Sequence, residues 1–74
     1  MKIVLYVDYS SNEFNNDFKL SNMLIGHGHN VFLAVNDTQF IELKNKCDIA
    51  YLGLSAISKK SSYPNIEVID SSIL

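Results

Sequence analysis

The sequence predicts an α/β protein with one small, open and mostly parallel β-sheet. Two observations indicate this fold class: apolar runs recur along the chain, and segments with helical spacing separate the first three of them. Continuous apolar runs are typical of strands buried on both faces, as in parallel sheets. Strands that alternate with helices are joined by right-handed crossovers, so the runs should form a single sheet.

Four apolar runs are predicted to be the strands. They are rich in β-branched and aromatic residues, which favour strands. The predicted strands span residues 2–8, 30–35, 48–54 and 65–70. Because four strands make about half of a doubly wound sheet, residues 1–74 are expected to form a single, incomplete Rossmann-like domain.

The first helix is predicted over about residues 11–27. Ser10 and Glu13 have the spacing of a capping box, and Tyr9 and Phe14 are placed to form a hydrophobic staple. Apolar or small side chains recur at helical spacing and should form one face toward the sheet. These residues are Phe14, Phe18, Ser21, Leu24 and Ile25.

The stretch His27-Gly28-His29 is interpreted as the junction between this helix and the second strand. Gly28 suits the left-handed conformation that often follows a last helical turn. A catalytic zinc ion needs three protein ligands, and neither a third histidine nor a nearby cysteine accompanies this pair. No metal site and no cofactor are therefore predicted.

A second, short helix is predicted over about residues 38–46, with Asn36 or Asp37 as its cap. Its apolar residues are Phe40, Ile41 and Leu43. The link between the third and fourth strands, which carries serines and two lysines, is expected to contain at most one helical turn.

The composition predicts a thin margin of stability and a partner. A chain of this size buries only about 60% of the surface that its unfolded form exposes, yet 47% of its residues are hydrophobic. Cys47 is the only cysteine, so no disulfide within the chain can compensate. We therefore expect burial against a second copy, in a homo-oligomer, or against a second domain.

Charge and hydropathy exclude two classes of partner. The net charge is −2 and basic residues are few, which argues against nucleic acid. No apolar run approaches the roughly 20 residues that a membrane-spanning helix needs. A single cysteine without an export signal is typical of a cytoplasmic protein.

Polar loops at the ends of the predicted strands are the candidate ligand site, because open α/β sheets bind ligands beyond the carboxyl ends of their strands. The candidate binding residues follow the first and third strands. They are Asp8, Tyr9, Ser10, Ser11, Asn12, Glu13 and Ser55. The rest of this rim consists of Asn36, Asp37, Thr38, Asp70, Ser71 and Ser72.

Two interpretations of this rim stay open. Hydroxyl and carboxamide groups suit the hydroxyls of a sugar or nucleotide, but the same residues cap helices and form turns in every α/β protein. No glycine-rich phosphate loop follows the first strand. The carboxylates are too scattered to nominate an acid–base pair, so no catalytic residue is predicted.

Two segments carry a resemblance to a known family. LIGHGHNV, residues 24–31, leads into the second strand, and KCDI, residues 46–49, introduces the third. They resemble the L-x-x-x-G-H-E-V segment, with asparagine for glutamate, and the K-x-D-I segment of the amino-terminal half-domain of GT-B glycosyltransferases. The likeness is closest to enzymes of bacterial surface-carbohydrate biosynthesis, and phage glucosyltransferases begin similarly.

The resemblance implies an acceptor-side domain whose loop over residues 8–13 lines a cleft between two domains. In that family a second domain binds most of the nucleotide-sugar, so residues 1–74 are expected to be inactive alone. The implied ligands are a nucleotide-sugar or a glycan acceptor. The alternative is a free-standing small oligomeric interaction protein, a regulator or phage-type inhibitor, that acts by binding another protein.

Overall fold

The computed structural model describes residues 1–73 and confirms the predicted fold class. Four strands and two α-helices alternate, and a 3₁₀ segment joins the last two strands. In chain order the elements are β1 (Lys2–Tyr6), α1 (Phe14–Gly26), β2 (Asn30–Ala34), α2 (Asp37–Lys44), β3 (Ile49–Leu52), the 3₁₀ segment (Leu54–Ser61), β4 (Glu67–Val68) and a 3₁₀ turn (Ser71–Ile73).

The sheet is parallel throughout, with the strand order β2-β1-β3-β4. β1 is central, and its Leu5 lies opposite Leu33 of β2 and Tyr51 of β3. Every residue from Ile3 to Val7 is buried. The continuous apolar run at the start of the chain is thus a strand covered on both faces, as the sequence predicts.

Two apolar clusters cover the faces of the sheet. On one face α1 packs against alternate residues of β1, and the buried members are Ile3, Leu5, Val7, Leu20, Leu24 and Ile69. On the other face α2 and the 3₁₀ segment pack against the remaining positions, and the buried members are Val4, Tyr6, Ala34, Phe40, Leu52 and Ala56. The core therefore lies on both sides of β1.

Helix α1 begins at Phe14, three residues later than predicted, and the capping box does not form. Asp8 holds the preceding loop instead: its Oδ1 accepts hydrogen bonds from the backbone and hydroxyl of Ser10, at 2.9 and 2.6 Å. Such local bonds compete with helix formation. The predicted staple contact is present, because the rings of Tyr9 and Phe14 lie 4.3 Å apart.

The buried face of α1 also differs from the prediction. Ser21 and Leu24 are buried as expected, but Phe18 and Ile25 are 49% and 52% exposed. The helix is rotated so that Asp17 and Leu20 face inward, because the Asp17 carboxylate binds backbone N–H groups of the 3₁₀ segment. Phe14 is half-buried at the edge of this face.

The junctions around β2 confirm the sequence interpretation. α1 ends at Gly26, His27 is its C-cap, and Gly28 has the expected left-handed conformation, with φ of 91°. Asn36 caps α2, and its Oδ1 accepts a hydrogen bond of 2.9 Å from the backbone N–H of Gln39.

The last part of the fold departs most from the prediction. The 3₁₀ segment runs for eight residues, with a break in helical conformation at Ala56, where at most one turn was expected. β4 has only two residues, Glu67 and Val68, where the prediction was 65–70. The chain just before it is held by Lys60, whose Nζ donates to the carbonyl oxygens of Pro64 and Ile66, at 2.9 and 2.6 Å.

The described chain is as compact as a monomer of its mass. Its accessible surface is 4492 Å², against about 4,600 Å² expected for a folded monomer of that mass. Every buried side-chain nitrogen or oxygen atom in residues 1–73 has a hydrogen-bond partner. No helix in this part of the chain is both long and apolar enough to cross a lipid bilayer.

Candidate functional site

A cleft of about 300 Å³ opens at the carboxyl edge of the sheet, where β1 and β2 end. Parallel strands bring their carboxyl ends to the same edge, and such edges are where open α/β sheets bind ligands. The walls come from the ends of both strands, the first residues of α2 and the 3₁₀ segment. The lining residues are Tyr6, Asp8, Val35, Asn36, Asp37, Ala56, Ser58 and Lys59.

Asp37 organises one wall of the cleft. Its Oδ1 accepts hydrogen bonds from the hydroxyls of Tyr6 and Tyr63, at 3.1 and 2.7 Å. Its Oδ2 lies 3.3 Å from Lys59 Nζ, which also stands 5.7 Å from the centre of the Tyr6 ring. Phe40 packs against both tyrosine rings, with centroids 5.1 Å away in each case.

These contacts set the charges of the wall. The Tyr63 and Lys59 hydrogen bonds lower the pKa of Asp37 below its ordinary value. The same carboxylate raises the pKa of Lys59 and raises that of Tyr63 to about 12. Burial, together with Asp37, raises the pKa of Tyr6. At neutral pH the wall therefore carries one carboxylate, one ammonium group and two protonated phenols.

Asp8 supplies the second carboxylate. Hydrogen bonds from the Ser10 hydroxyl and backbone N–H lower its pKa, so it too is ionised at neutral pH. Both bonds engage Oδ1 of Asp8, and no side chain or N–H within residues 1–73 donates to its Oδ2. The cleft thus offers an open carboxylate oxygen to a ligand that donates a hydrogen bond.

Beneath the cleft lies a buried hydrogen-bond network that the sequence analysis missed. Asp17 is completely buried and accepts hydrogen bonds from the N–H groups of Leu54 and Ser55, at 2.7 and 3.0 Å, and from the Ser55 hydroxyl. Ser55 Oγ in turn accepts a bond of 2.8 Å from the backbone N–H of Asp8. One sequence signal could have indicated that Asp17 is buried: it shares helical spacing with the apolar residues Leu20 and Leu24.

The predicted site residues separate into three groups. Asp8 lines the cleft, and Ser55 lies beneath it, 7% exposed, with its hydroxyl directed to Asp17. The other candidates belong to the loop outside the lining; they are Tyr9, Ser10, Ser11, Asn12 and Glu13. Of the wider rim, Asn36 and Asp37 line the cleft. Tyr6, Ser58 and Lys59 were missed because strand and link residues carry no local signal of a cleft.

Neither the histidines nor the cysteine belong to this site. His27 caps α1, and His29 Nδ1 lies 3.4 Å from the amino group of Met1. Burial raises the pKa of the half-buried Cys47, so its thiol is protonated at neutral pH. Within residues 1–73, no three histidine, cysteine or acidic side chains are placed to hold a metal ion.

Fold and cleft together define a small, all-parallel α/β protein with a polar cleft at the carboxyl edge of its sheet. Comparison with known proteins finds no family model that matches the chain, and no curated protein or solved structure that is significantly similar to it.

Proposed function

We propose that the chain is a carbohydrate-binding module, the acceptor-side half-domain of a GT-B-like glycosyltransferase. The observation that supports it is the cleft at the carboxyl edge of the sheet, to which the loop after β1 contributes Asp8. The resemblance of the sequence to the amino-terminal half-domain of that family predicts a ligand at this loop. The proposed location is the cytoplasm.

The polar groups of the cleft fit the hydroxyls of a neutral sugar. Asp8 offers an acceptor, while Asn36, Ser58 and Lys59 carry donor groups. A sugar hydroxyl both donates and accepts, so it can bridge these two kinds of group. The exposed apolar side chain of Val35 suits the C–H face of a pyranose ring.

The charges of the cleft favour an acceptor over a nucleotide-sugar. Two carboxylates, Asp8 and Asp37, face a single ammonium group, and Lys59 is already paired with Asp37 at 3.3 Å. A diphosphate placed here would meet like charges with no free cation in the lining. In the family that the sequence resembles, the nucleotide-sugar binds mainly to a second domain, so we expect residues 1–74 alone not to transfer a sugar.

The test is a titration of the ¹⁵N-labelled chain with glucose, N-acetylglucosamine and UDP-glucose, followed by amide chemical shifts. Saturable shifts at Asp8, Asn36 and Lys59 with a neutral sugar are expected. Asp8→Asn should weaken them, whereas Glu13→Gln, a matched change in the same loop but outside the cleft, should not. The absence of saturable shifts in the cleft with all three compounds would refute the proposal.

A second candidate is a small oligomeric interaction protein. The observation in its favour is the exposed apolar surface of α1, where Phe18, Met23 and Ile25 are each about half exposed. Light scattering after gel filtration tests it. A dimer or higher oligomer that Phe18→Ser dissociates would support this function, and a monomer at high concentration would contradict its oligomeric form.

A further inference from the structure

Asp17 is a carboxylate in an unusual place. It lies on α1, fully buried, and no lysine or arginine within residues 1–73 pairs with it. An ionised group in the interior is unfavourable unless hydrogen bonds replace its hydration. Three donors do so here: the N–H groups of Leu54 and Ser55, and the Ser55 hydroxyl.

Two of these bonds hold one wall of the cleft. The N–H groups of Leu54 and Ser55 stand at the start of the 3₁₀ segment, where no carbonyl group of the same segment can accept them. Asp17 therefore caps the 3₁₀ segment from a different element. The cleft residues Ser58 and Lys59 lie on that segment, within five residues of the capped end.

The third bond leads to the part of the cleft that the loop after β1 forms. The Ser55 hydroxyl gives its only proton to Asp17, which leaves its lone pairs free to accept. It accepts the backbone N–H of Asp8, at 2.8 Å. The backbone position of Asp8 is thus set by a hydroxyl whose orientation is set by Asp17.

We propose that Asp17 is a positioning residue of the cleft, which holds the 3₁₀ wall directly and the Asp8 wall through Ser55. The consequence for ligand binding rests on the proposed function. The rival explanation is that Asp17 and Ser55 only stabilise the fold. The two explanations differ in what they predict for the backbone N–H of Asp8 in a variant that still folds.

The first test needs no ligand. Ser55→Ala removes the hydroxyl that links Asp17 to the backbone N–H of Asp8, but keeps the bonds of Asp17 to the two backbone N–H groups. We expect the Asp8 amide proton to shift upfield and to exchange with solvent about tenfold faster, as for the loss of one hydrogen bond. Asp17→Asn, which turns an amide group toward the same donors, should shift the amides of both Asp8 and Lys59.

The control is Ser21→Ala. Ser21 is a similarly buried serine on α1, and its hydroxyl makes no hydrogen bond to either wall in residues 1–73. It should leave the amides of Asp8 and Lys59 unchanged. If Ser55→Ala leaves the Asp8 amide where it is, or if Ser21→Ala moves it equally, Asp17 and Ser55 do not position the cleft. Should Asp17→Asn not fold, Ser55→Ala alone decides the outcome.

The second test measures glucose binding by the same titration. Ser55→Ala should weaken binding about tenfold relative to the parent chain, while Ser21→Ala should not. Equal affinities of Ser55→Ala and the parent chain would overturn the positioning role and leave the proposed function intact. If the parent chain binds none of the three probes, the proposed function fails, and the amide shifts still decide whether Asp17 positions the walls.

Discussion

The hydroxyl of Tyr63 donates a hydrogen bond of 2.7 Å to Oδ1 of Asp37. This contact ties the chain that follows the 3₁₀ segment to the first residue of α2, which are 26 positions apart. The same carboxylate is paired with Lys59 on the opposite oxygen. A single acidic residue at a helix start thereby joins two elements at the mouth of the cleft.

The Tyr63 contact predicts a loss of stability in alkali. The pKa of Tyr63 is raised to about 12 in the folded chain, whereas an unfolded tyrosine ionises near pH 10. A raised folded-state pKa stabilises the fold fully below about pH 10, and that contribution is lost as the pH rises toward 12. Urea unfolding between pH 9 and 12 should show this decline.

Tyr63→Phe should reduce the alkaline decline, because phenylalanine does not titrate, while the raised pKa values of Tyr6 and Lys59 maintain the rest of it. The control is Tyr9→Phe, since the exposed Tyr9 makes no side-chain hydrogen bond in the described residues. An equally steep decline in Tyr63→Phe and in the parent chain would contradict the assignment to Tyr63.

The lowered pKa of Asp8 predicts a loss of stability in acid. Its pKa is lowered by the hydroxyl and N–H of Ser10. A lowered folded-state pKa adds stability above the unfolded value of about 3.9, and this stability is lost as the pH falls through the folded value. Ser10→Ala should raise the pKa of Asp8 toward its ordinary value, as measured by the carboxyl ¹³C shift.

The matched control for Asp8 is Ser62→Ala, an exposed serine outside the loop. It should leave the carboxyl titration of Asp8 where it is in the parent chain. An unchanged titration of Asp8 in Ser10→Ala would show that the hydrogen bond from the Ser10 hydroxyl to Asp8 is not formed in solution.

Gly53 and Gly26 predict opposite effects of the same substitution. A Cβ atom on Gly53 would lie 2.8 Å from the carbonyl oxygen of Tyr6 and 2.7 Å from Cγ of Asp17, which no relaxed contact allows. Gly53→Ala should therefore destabilise the fold by about 1–3 kcal/mol, as overpacking does. At Gly26, in α1, no atom lies within 4 Å of the added carbon.

Gly26→Ala should accordingly stabilise the chain by about 0.5–1 kcal/mol, through the helix propensity of alanine. Chemical denaturation of both variants measures the two changes in the free energy of unfolding. Equal free energies of unfolding for Gly53→Ala and Gly26→Ala would contradict the close approach of Gly53 to Asp17.

The cap of α2 gives a further prediction. The Asn36 side chain accepts the backbone N–H of Gln39, so Asn36→Ala should lower the free energy of unfolding by about 1 kcal/mol. Asn45→Ala at the other end of α2 is the control, because Asn45 makes no side-chain cap bond in residues 1–73. If Asn45→Ala lowers the free energy of unfolding as much as Asn36→Ala does, the side chain of Asn36 does not act as a helix cap.

Most of the fold follows from local patterns. The apolar runs at 2–8, 30–35 and 48–54 became the three neighbouring strands, and Gly28 and Asn36 mark the junctions where predicted. These elements can be predicted from the sequence because a strand buried on both faces requires a continuous apolar run, and a helix cap requires particular residue types at the helix end. β4 was predicted too long at both ends, and at its start the Lys60 side chain binds the carbonyl oxygens of Pro64 and Ile66, a contact that no local pattern shows.

The sequence by itself determined a parallel α/β sheet, its strand positions and a polar rim that includes Asp8. Tertiary structure alone decided the rotation of α1, the length of the 3₁₀ segment and the cleft. The reason is the range of the interactions: Asp17 meets its partners 37 and 38 positions later in the chain. No local pattern encodes such a pairing, because it exists only once the sheet brings the two segments together.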